Sequence, residues 1–289
     1  MTPLIFDRAL ARLRLDRALR AGPADFLLAR ATEDLLDRLS GVSRDFADAL
    51  DLGTPGPHLA AALARPGRRV TRLAPSRKAL GAGDFLGVVG DEELAPFGPE
   101  RFDLIVSALS LQYVNDLPGA LALARRALKP DGLMLAALIG GQSLVETRAA
   151  FAQAEEEIVG GASPRVAPFA DVRDLGALLQ RAGFALPVTD TEVVTVRYRD
   201  PFRLFADLRA MGATNALTQR ARKPLSRAVL THAAQIYANR FSDADGRVRA
   251  TFEILWLSGW APHESQQKPL KPGSAKMRLE DALRAAREG

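Results

Sequence analysis

Cysteine is absent from the 289-residue chain. That removes disulfides, thiol nucleophiles, cysteine zinc sites and iron–sulfur ligation together. Histidine is nearly as scarce, with His58, His232 and His263 the only three. No His-x-Asp or His-x-x-x-His spacing occurs among them, which argues against a histidine-rich metal site and against an iron triad of two His and one carboxylate. No apolar run reaches the roughly 18 residues that span a bilayer, and there is no signal-peptide core. Aromatic residues make up 6% of the chain. They are not interleaved with basic residues in a stripe, so nucleic acid is not an expected partner. No internal repeat is present.

What remains is an ordinary globular composition, 47% hydrophobic and 25% charged. The 39 Lys and Arg exceed the 34 Asp and Glu, giving a net charge of +5 and a pI near 9.9. Acids and bases are interspersed, so the excess reads as a solvated basic surface. An acidic protein or a membrane surface suits it as a partner.

The chain is organised around residues 46–58. A buried strand, about 46–52, ends in the acid Asp51, a turn follows (Leu52-Gly53-Thr54-Pro55-Gly56-Pro57), and an apolar helix starts at His58. A strand, a glycine-bearing loop and a helix start make a nucleotide-binding corner, because the glycine lets a ligand approach the backbone. Before it, residues 5–20 form a basic amphipathic helix with Phe6, Leu10 and Leu13 on one stripe. Packing against the domain, a membrane surface and a targeting presequence are the three readings of that helix. A second helix covers 26–39.

After the corner, strands are expected over 69–74, 85–89, 102–109 and 133–139, with a helix over 117–128. Strands alternating with helices imply a mostly parallel sheet with right-handed crossovers. Helices follow over 143–159 and 172–182, with Asp171 as cap. A strand is expected over 188–198, helices near 201–211 and 224–240, and a last strand over 249–257. This divides the chain into a helical extension (1–40), an α/β domain (41–262, with a helical insertion at about 200–245) and a polar tail (263–289), loosely held.

Ligands of such sheets lie beyond the carboxyl ends of the strands at the switch point. The candidates there are Asp51, Gly53 and Gly56 after strand one, Asp91 and Glu92 after strand three, and Ser107 at the end of strand four. Each acid also has a plainer reading, Asp51 as a local cap and Asp91-Glu92 as a solvated turn. Tyr113, Asn115 and Asp116 read first as a helix cap before Leu117-Pro118. Ser163-Pro164-Arg165 and Met211-Gly212-Ala213-Thr214-Asn215 read as a lid, a partner surface or structural loops. No catalytic residue follows from the residues alone.

The order of segments resembles the class I S-adenosylmethionine-dependent methyltransferases. Asp51-Leu52-Gly53-Thr54-Pro55-Gly56-Pro57 stands at the glycine loop, Asp91 after strand three, Phe102-Asp103-Leu104-Ile105-Val106-Ser107 at strand four, and Leu128-Lys129-Pro130-Asp131-Gly132 before strand five. The resemblance implies a Rossmann-like seven-stranded α/β sheet, a helical N-terminal extension, a helical insertion before the last strand, and S-adenosylmethionine as cofactor. A narrower resemblance rests on Phe6-Asp7-Arg8, the stretch from Ser107 to Ala120, Ser163 to Asp171, Met211 to Asn215 and Gly259-Trp260-Ala261-Pro262-His263. These are similar to the respiratory complex I assembly factor 5 family. It implies a bacterial, cytoplasmic member, without a presequence and peripheral to the inner membrane, that modifies an arginine of a complex I subunit.

Two departures stand against that pattern. Pro55 and Pro57 occupy glycine positions of the loop, and proline has no amide to donate. No Asp or Glu occurs from Leu52 to Gly83, so the ribose-binding acid at the end of strand two is missing and Arg72-Leu73-Ala74-Pro75-Ser76 stands in its place. A charge-assisted contact of that kind contributes about 1.5–3 kcal/mol. The alternative is therefore a non-catalytic assembly or chaperone scaffold, with a small-molecule methyltransferase as a third reading.

Overall fold

The computed structural model describes residues 4–267. Seven strands form one sheet in the order β3-β2-β1-β4-β5-β7-β6. The first five are parallel: β1 (Asp48–Leu52), β2 (Arg69–Ala74), β3 (Leu86–Val89), β4 (Phe102–Ala108) and β5 (Leu128–Ile139). The last two are β6 (Ala185–Tyr198) and β7 (Val248–Trp260). β7 runs antiparallel between β5 and β6. The strand order reverses between β1 and β4, so the crevice expected of such sheets opens there.

Helices cover both faces. On one side lie α2 (Phe26–Ser40), α3 (His58–Leu63), α6 (Val145–Val159), α8 (Pro201–Ala210) and α9 (Arg227–Phe241). Leu35, Leu59, Phe151 and Tyr237 join this core to Val106 and Phe252 of the sheet. On the other lie α5 (Leu117–Ala127) and α7 (Val172–Arg181), where Leu121, Leu175 and Leu179 meet Ile105 and Met134. Full burial of each such leucine contributes about 1.5–3 kcal/mol.

The amphipathic segment is helix α1 (Arg8–Ala21). The Asp7 side chain accepts from the Leu10 amide and caps its start. It packs on α8 and on a short helix α4 (Arg77–Leu80). α4 was not expected from the sequence; Ser76 caps it by accepting from the Ala79 amide at 3.0 Å. Strand β5 starts at Leu128 instead of 133, and Asp131 takes a left-handed conformation (φ 60) where the register against β4 shifts. β6 and β7 also run longer than their alternation suggested. The polar tail beyond residue 267 lies outside the described residues.

Before Ile254, β7 has no strand on its β5 side. The start of α6 covers that edge: Leu144 donates its amide to Thr251 at 2.8 Å, and the Thr251 amide donates to Glu146 at 3.1 Å. Leu144 is left-handed (φ 56) to do so. Among the described residues no helix is long and apolar enough to cross a membrane.

Candidate functional site

β1 is buried, and its acid ends against an arginine. Asp51 and Arg72 are direct register partners on adjacent parallel strands, both fully buried, and form an ion pair. Arg72 also donates from Nε to the Leu80 carbonyl (3.0 Å) and from Nη2 to the carbonyls of Thr54 (2.8 Å) and Ala79 (2.9 Å). Its guanidinium thus ties the glycine loop to α4. Burial drives the Asp51 carboxyl up to about 6, outweighing the attraction of Arg72. One oxygen of Asp51 has no partner.

The loop is set by further internal bonds. Gly53 is left-handed (φ 78), and its amide donates to the Leu73 carbonyl at 3.0 Å. Thr54 Oγ1 accepts from the Ala108 amide at 3.1 Å. Ser107 Oγ donates to the Leu52 carbonyl at 2.7 Å. Gly56 is left-handed with open space where a Cβ would stand. α3 has only six residues, so the corner works through loop shape and not through a long helix.

After β3, Asp91 and Glu92 meet Arg8 of α1. Arg8 donates from Nη2 to Asp91 Oδ1 (2.8 Å), from Nε to Asp91 Oδ2 (3.3 Å) and from Nη1 to the Tyr113 carbonyl (3.2 Å), and it pairs with Glu92. The Glu92 carboxylate lies over Gly53, where a Cβ would overlap it. Burial pushes Glu92 up against the pull of Arg8. Burial also raises Asp91, but the Glu93 amide and Arg8 together bring it below its ordinary value.

Tyr113 and Asn115, with Ala216 to Thr218, close on residues 4–8. Asn115 grips Phe6 at both backbone groups: its Oδ1 accepts from the Phe6 amide (2.7 Å) and its Nδ2 donates to the Phe6 carbonyl (3.2 Å). Phe6 also bridges to Leu217, and its ring meets Tyr113 edge-on at 5.7 Å. The Asp7 amide donates to the Ala216 carbonyl at 2.8 Å. Asn215 Nδ2 donates to the Pro164 carbonyl at 2.7 Å. Glu155, 3% exposed, accepts from the Ser163 amide (2.8 Å) and pairs with Arg165. Ser163 to Arg165 is therefore an anchored loop. Asp116 caps α5 through the Gly119 amide (2.8 Å), as its cap reading had it.

Between this clasp and the switch point lies a cavity of about 310 Å³, at the lower end of the roughly 300–1,000 Å³ of small-molecule sites. Gly53, Gly56, Asp91 and Glu92 line it; Asp51 and Ser107 do not and are buried behind it. Its walls also include Leu109 and Leu144, both left-handed (φ 50 and 56). Such strain in residues with side chains gathers at binding sites. The donor set fits an adenosine-like ligand in part. Gly53 and Gly56 permit backbone approach and Asp91 offers an acceptor after β3, while Ala74 and Pro75 end β2 with no acid for a ribose. Among the described residues, no three His, Asp or Glu side chains group as a metal site.

Arg8, Arg72 and Gln112 are the site residues that sequence reasoning missed. Arg72 had one visible signal, a guanidinium in the strand-like run Val70-Thr71-Arg72-Leu73-Ala74. Arg8 had its place in the Phe6-Asp7-Arg8 motif.

A seven-stranded sheet in this order with β7 antiparallel, and a pocket at the β1–β4 switch, define a class I methyltransferase-like protein. A methyltransferase-domain model matches residues 50–136. The YcgJ protein from Bacillus subtilis superposes with a TM-score of 0.54 at 14% identity, covering 80% of this chain and 98% of that one. "Arginine-hydroxylase NDUFAF5, mitochondrial" from Danio rerio is 38% identical over 96% of this chain and 89% of its own length. The Homo sapiens protein of that name is also 38% identical, over 94% and 81%. A malonyl-[acyl-carrier protein] O-methyltransferase from Halorhodospira halophila is 31% identical over 97% of each chain. The chain belongs to the NDUFAF5 family.

Proposed function

We propose that this protein binds S-adenosylmethionine in the cavity above Gly53 and modifies an arginine side chain of a protein partner, a complex I subunit. The carrying observation is the cavity itself, at the β1–β4 switch point, bounded by Gly53, Gly56 and Asp91 and closed by the clasp on residues 4–8. Membership of a family whose relatives are named arginine hydroxylases supports the arginine target. Gly53 and Gly56 would admit the ligand to the backbone. Asp91 would accept from the adenine amino group once Arg8 yields, and Glu92 would adjoin it. Asp51 and Ser107 would hold the loop from behind. Bound there, the cofactor would supply an activated methyl group. A cytoplasmic location, with the basic α1 side toward the inner membrane, belongs to the same reading; cell fractionation tests it.

Calorimetry with S-adenosylmethionine and S-adenosylhomocysteine is the deciding experiment. Micromolar binding supports the reading, and the next step is mass spectrometry of complex I subunits for an arginine that loses its modification when this gene is deleted. No binding up to about 1 mM, weaker than about −4 kcal/mol, sinks the cofactor.

One observation favours a second reading, a non-catalytic assembly scaffold. Arg72 and Arg8 already pair with all three acids of the corner. Asp91→Ala separates the readings better than Asp51→Ala, which tests folding. A scaffold keeps complex I assembly with Asp91→Ala, and an enzyme that uses the pocket loses it.

A further inference from the structure

A second cavity, of about 470 Å³, lies at the opposite end of the sheet, at the amino ends of β1 and β2. Its size is that of small-molecule sites. Ligands of such sheets bind beyond the carboxyl ends of the strands, so this cavity is no part of the cofactor corner. The loop from α2 into β1 brings Arg44 to it, and the loop from α3 into β2 brings Arg65 and Arg68. The three guanidiniums share two carboxylates. Arg44 pairs with Asp131, and Arg65 Nη2 meets Asp45 Oδ1 at 2.8 Å. The Asp45 side chain is 99% exposed, so water screens that pair. Arg68 is partly buried and makes no ion pair among the described residues. Its Nε donates to the Phe46 carbonyl (3.0 Å) and its Nη1 to the Leu63 carbonyl (3.2 Å). Those bonds fix the guanidinium across the two loops and leave Nη2 unmatched among the described residues. Burial and the neighbouring Arg65 hold Arg68 below its ordinary range, against the pull of Asp103 and Asp45. A cation removed from water without a counter-charge costs free energy that a bound anion offsets.

We propose that Arg44, Arg65 and Arg68 form a second ligand site, which binds the phosphate group of a small organic phosphate. Arg44 and Arg65 each engage a carboxylate through one terminal nitrogen, so other donors remain for a ligand. Guanidiniums arriving from two loops match an anion with several acceptor oxygens around one atom, and the planar fork of arginine suits phosphate. A carboxylate, with two oxygens in one plane, leaves one of the three arginines unmatched. The cavity is larger than a phosphate, and Leu39 and Val42 give the organic remainder an apolar wall. A ligand here ties together the starts of β1 and β2, the two strands that carry the Asp51–Arg72 pair.

Calorimetry on the full chain at constant ionic strength tests it with phenyl phosphate, inorganic phosphate and benzoate. Both phosphates should bind, with phenyl phosphate the tighter and benzoate about tenfold weaker than it. Arg65→Gln should weaken phenyl phosphate about tenfold, and Asp45→Asn, which removes the competing carboxylate, should tighten it about threefold. Both side chains are at the surface, 46% and 99% exposed, so neither change disturbs the core. Arg222→Gln alters the net charge as Arg65→Gln does, at an exposed position outside the cavity, and should leave the affinity unchanged. Amide exchange should slow on binding over residues 40–46 and 64–69. No binding of either phosphate up to about 10 mM overturns the proposal. An equal loss in Arg222→Gln and Arg65→Gln overturns it too, by showing a diffuse response to the basic surface. So does an Asp45→Asn variant that binds no tighter, or exchange that slows around Gly53 instead. Benzoate bound as tightly as phenyl phosphate overturns the assignment to phosphate.

Discussion

Asp51 and Arg72 show how one residue's fate depends on its neighbour across the ladder. Two charges facing each other at full burial require each other. Asp51→Ala leaves the Arg72 guanidinium buried without a counter-charge, and should lower stability by about 3–5 kcal/mol, read as a shift in urea midpoint. Combining Asp51→Leu with Arg72→Met should recover most of that loss. The pH dependence follows from the same burial. The folded Asp51 titrates at about 6 against an ordinary 3.8, so the folded state holds the proton more tightly than the unfolded chain. Its contribution to stability is complete below 3.8 and is lost as pH rises through about 6. Between those limits, stability of the wild type should fall with pH more steeply than that of Asp51→Asn in parallel denaturant titrations. The sequence showed that strand two lacks its acid and carries Arg72 nearby. It did not show that Arg72 points at Asp51, because register is a property of two strands and neither one states it alone.

At the scale of elements, the strands were legible because central parallel strands are runs of buried apolar residues, as Leu133 to Leu138 show. The short helix α4 was not: four residues carry no periodicity, and only Ser76 marked its start. Nor could spacing tell that Asn115 grips Phe6, since the two lie 109 residues apart in the chain. The Met211–Asn215 turn fits α1 closely. Gly212 is left-handed (φ 72), and a Cβ there would stand 2.8 Å from the Leu15 Cα. Gly212→Ala should therefore push α1 away from the turn at a cost of about 1–3 kcal/mol. Amide exchange is expected to speed up over residues 8–21 while β1 and β4 stay protected. Equal exchange everywhere would show that α1 is not separately anchored.

For the whole molecule, the cavity joins α1, the corner and the Met211–Asn215 turn into one ligand-linked unit. A ligand at a hundredfold its Kd should raise stability by about 2.7 kcal/mol. Exchange should slow mainly over residues 6–28 and 208–216, not along the outer strand β6, which does not line the cavity. Protection confined to β6 and α9 would point to a binding surface elsewhere.

The clasp on Phe6 has a consequence for biosynthesis. Domains form from the N-terminus as the chain leaves the ribosome, yet the first helix needs Ala216, Leu217 and Thr218 to settle. Residues 5–7 thus wait for partners made about two hundred positions later. Until residues 216–218 have been made, the basic helix lacks the partners that hold its start. During that interval a chaperone or a waiting partner would meet the open corner.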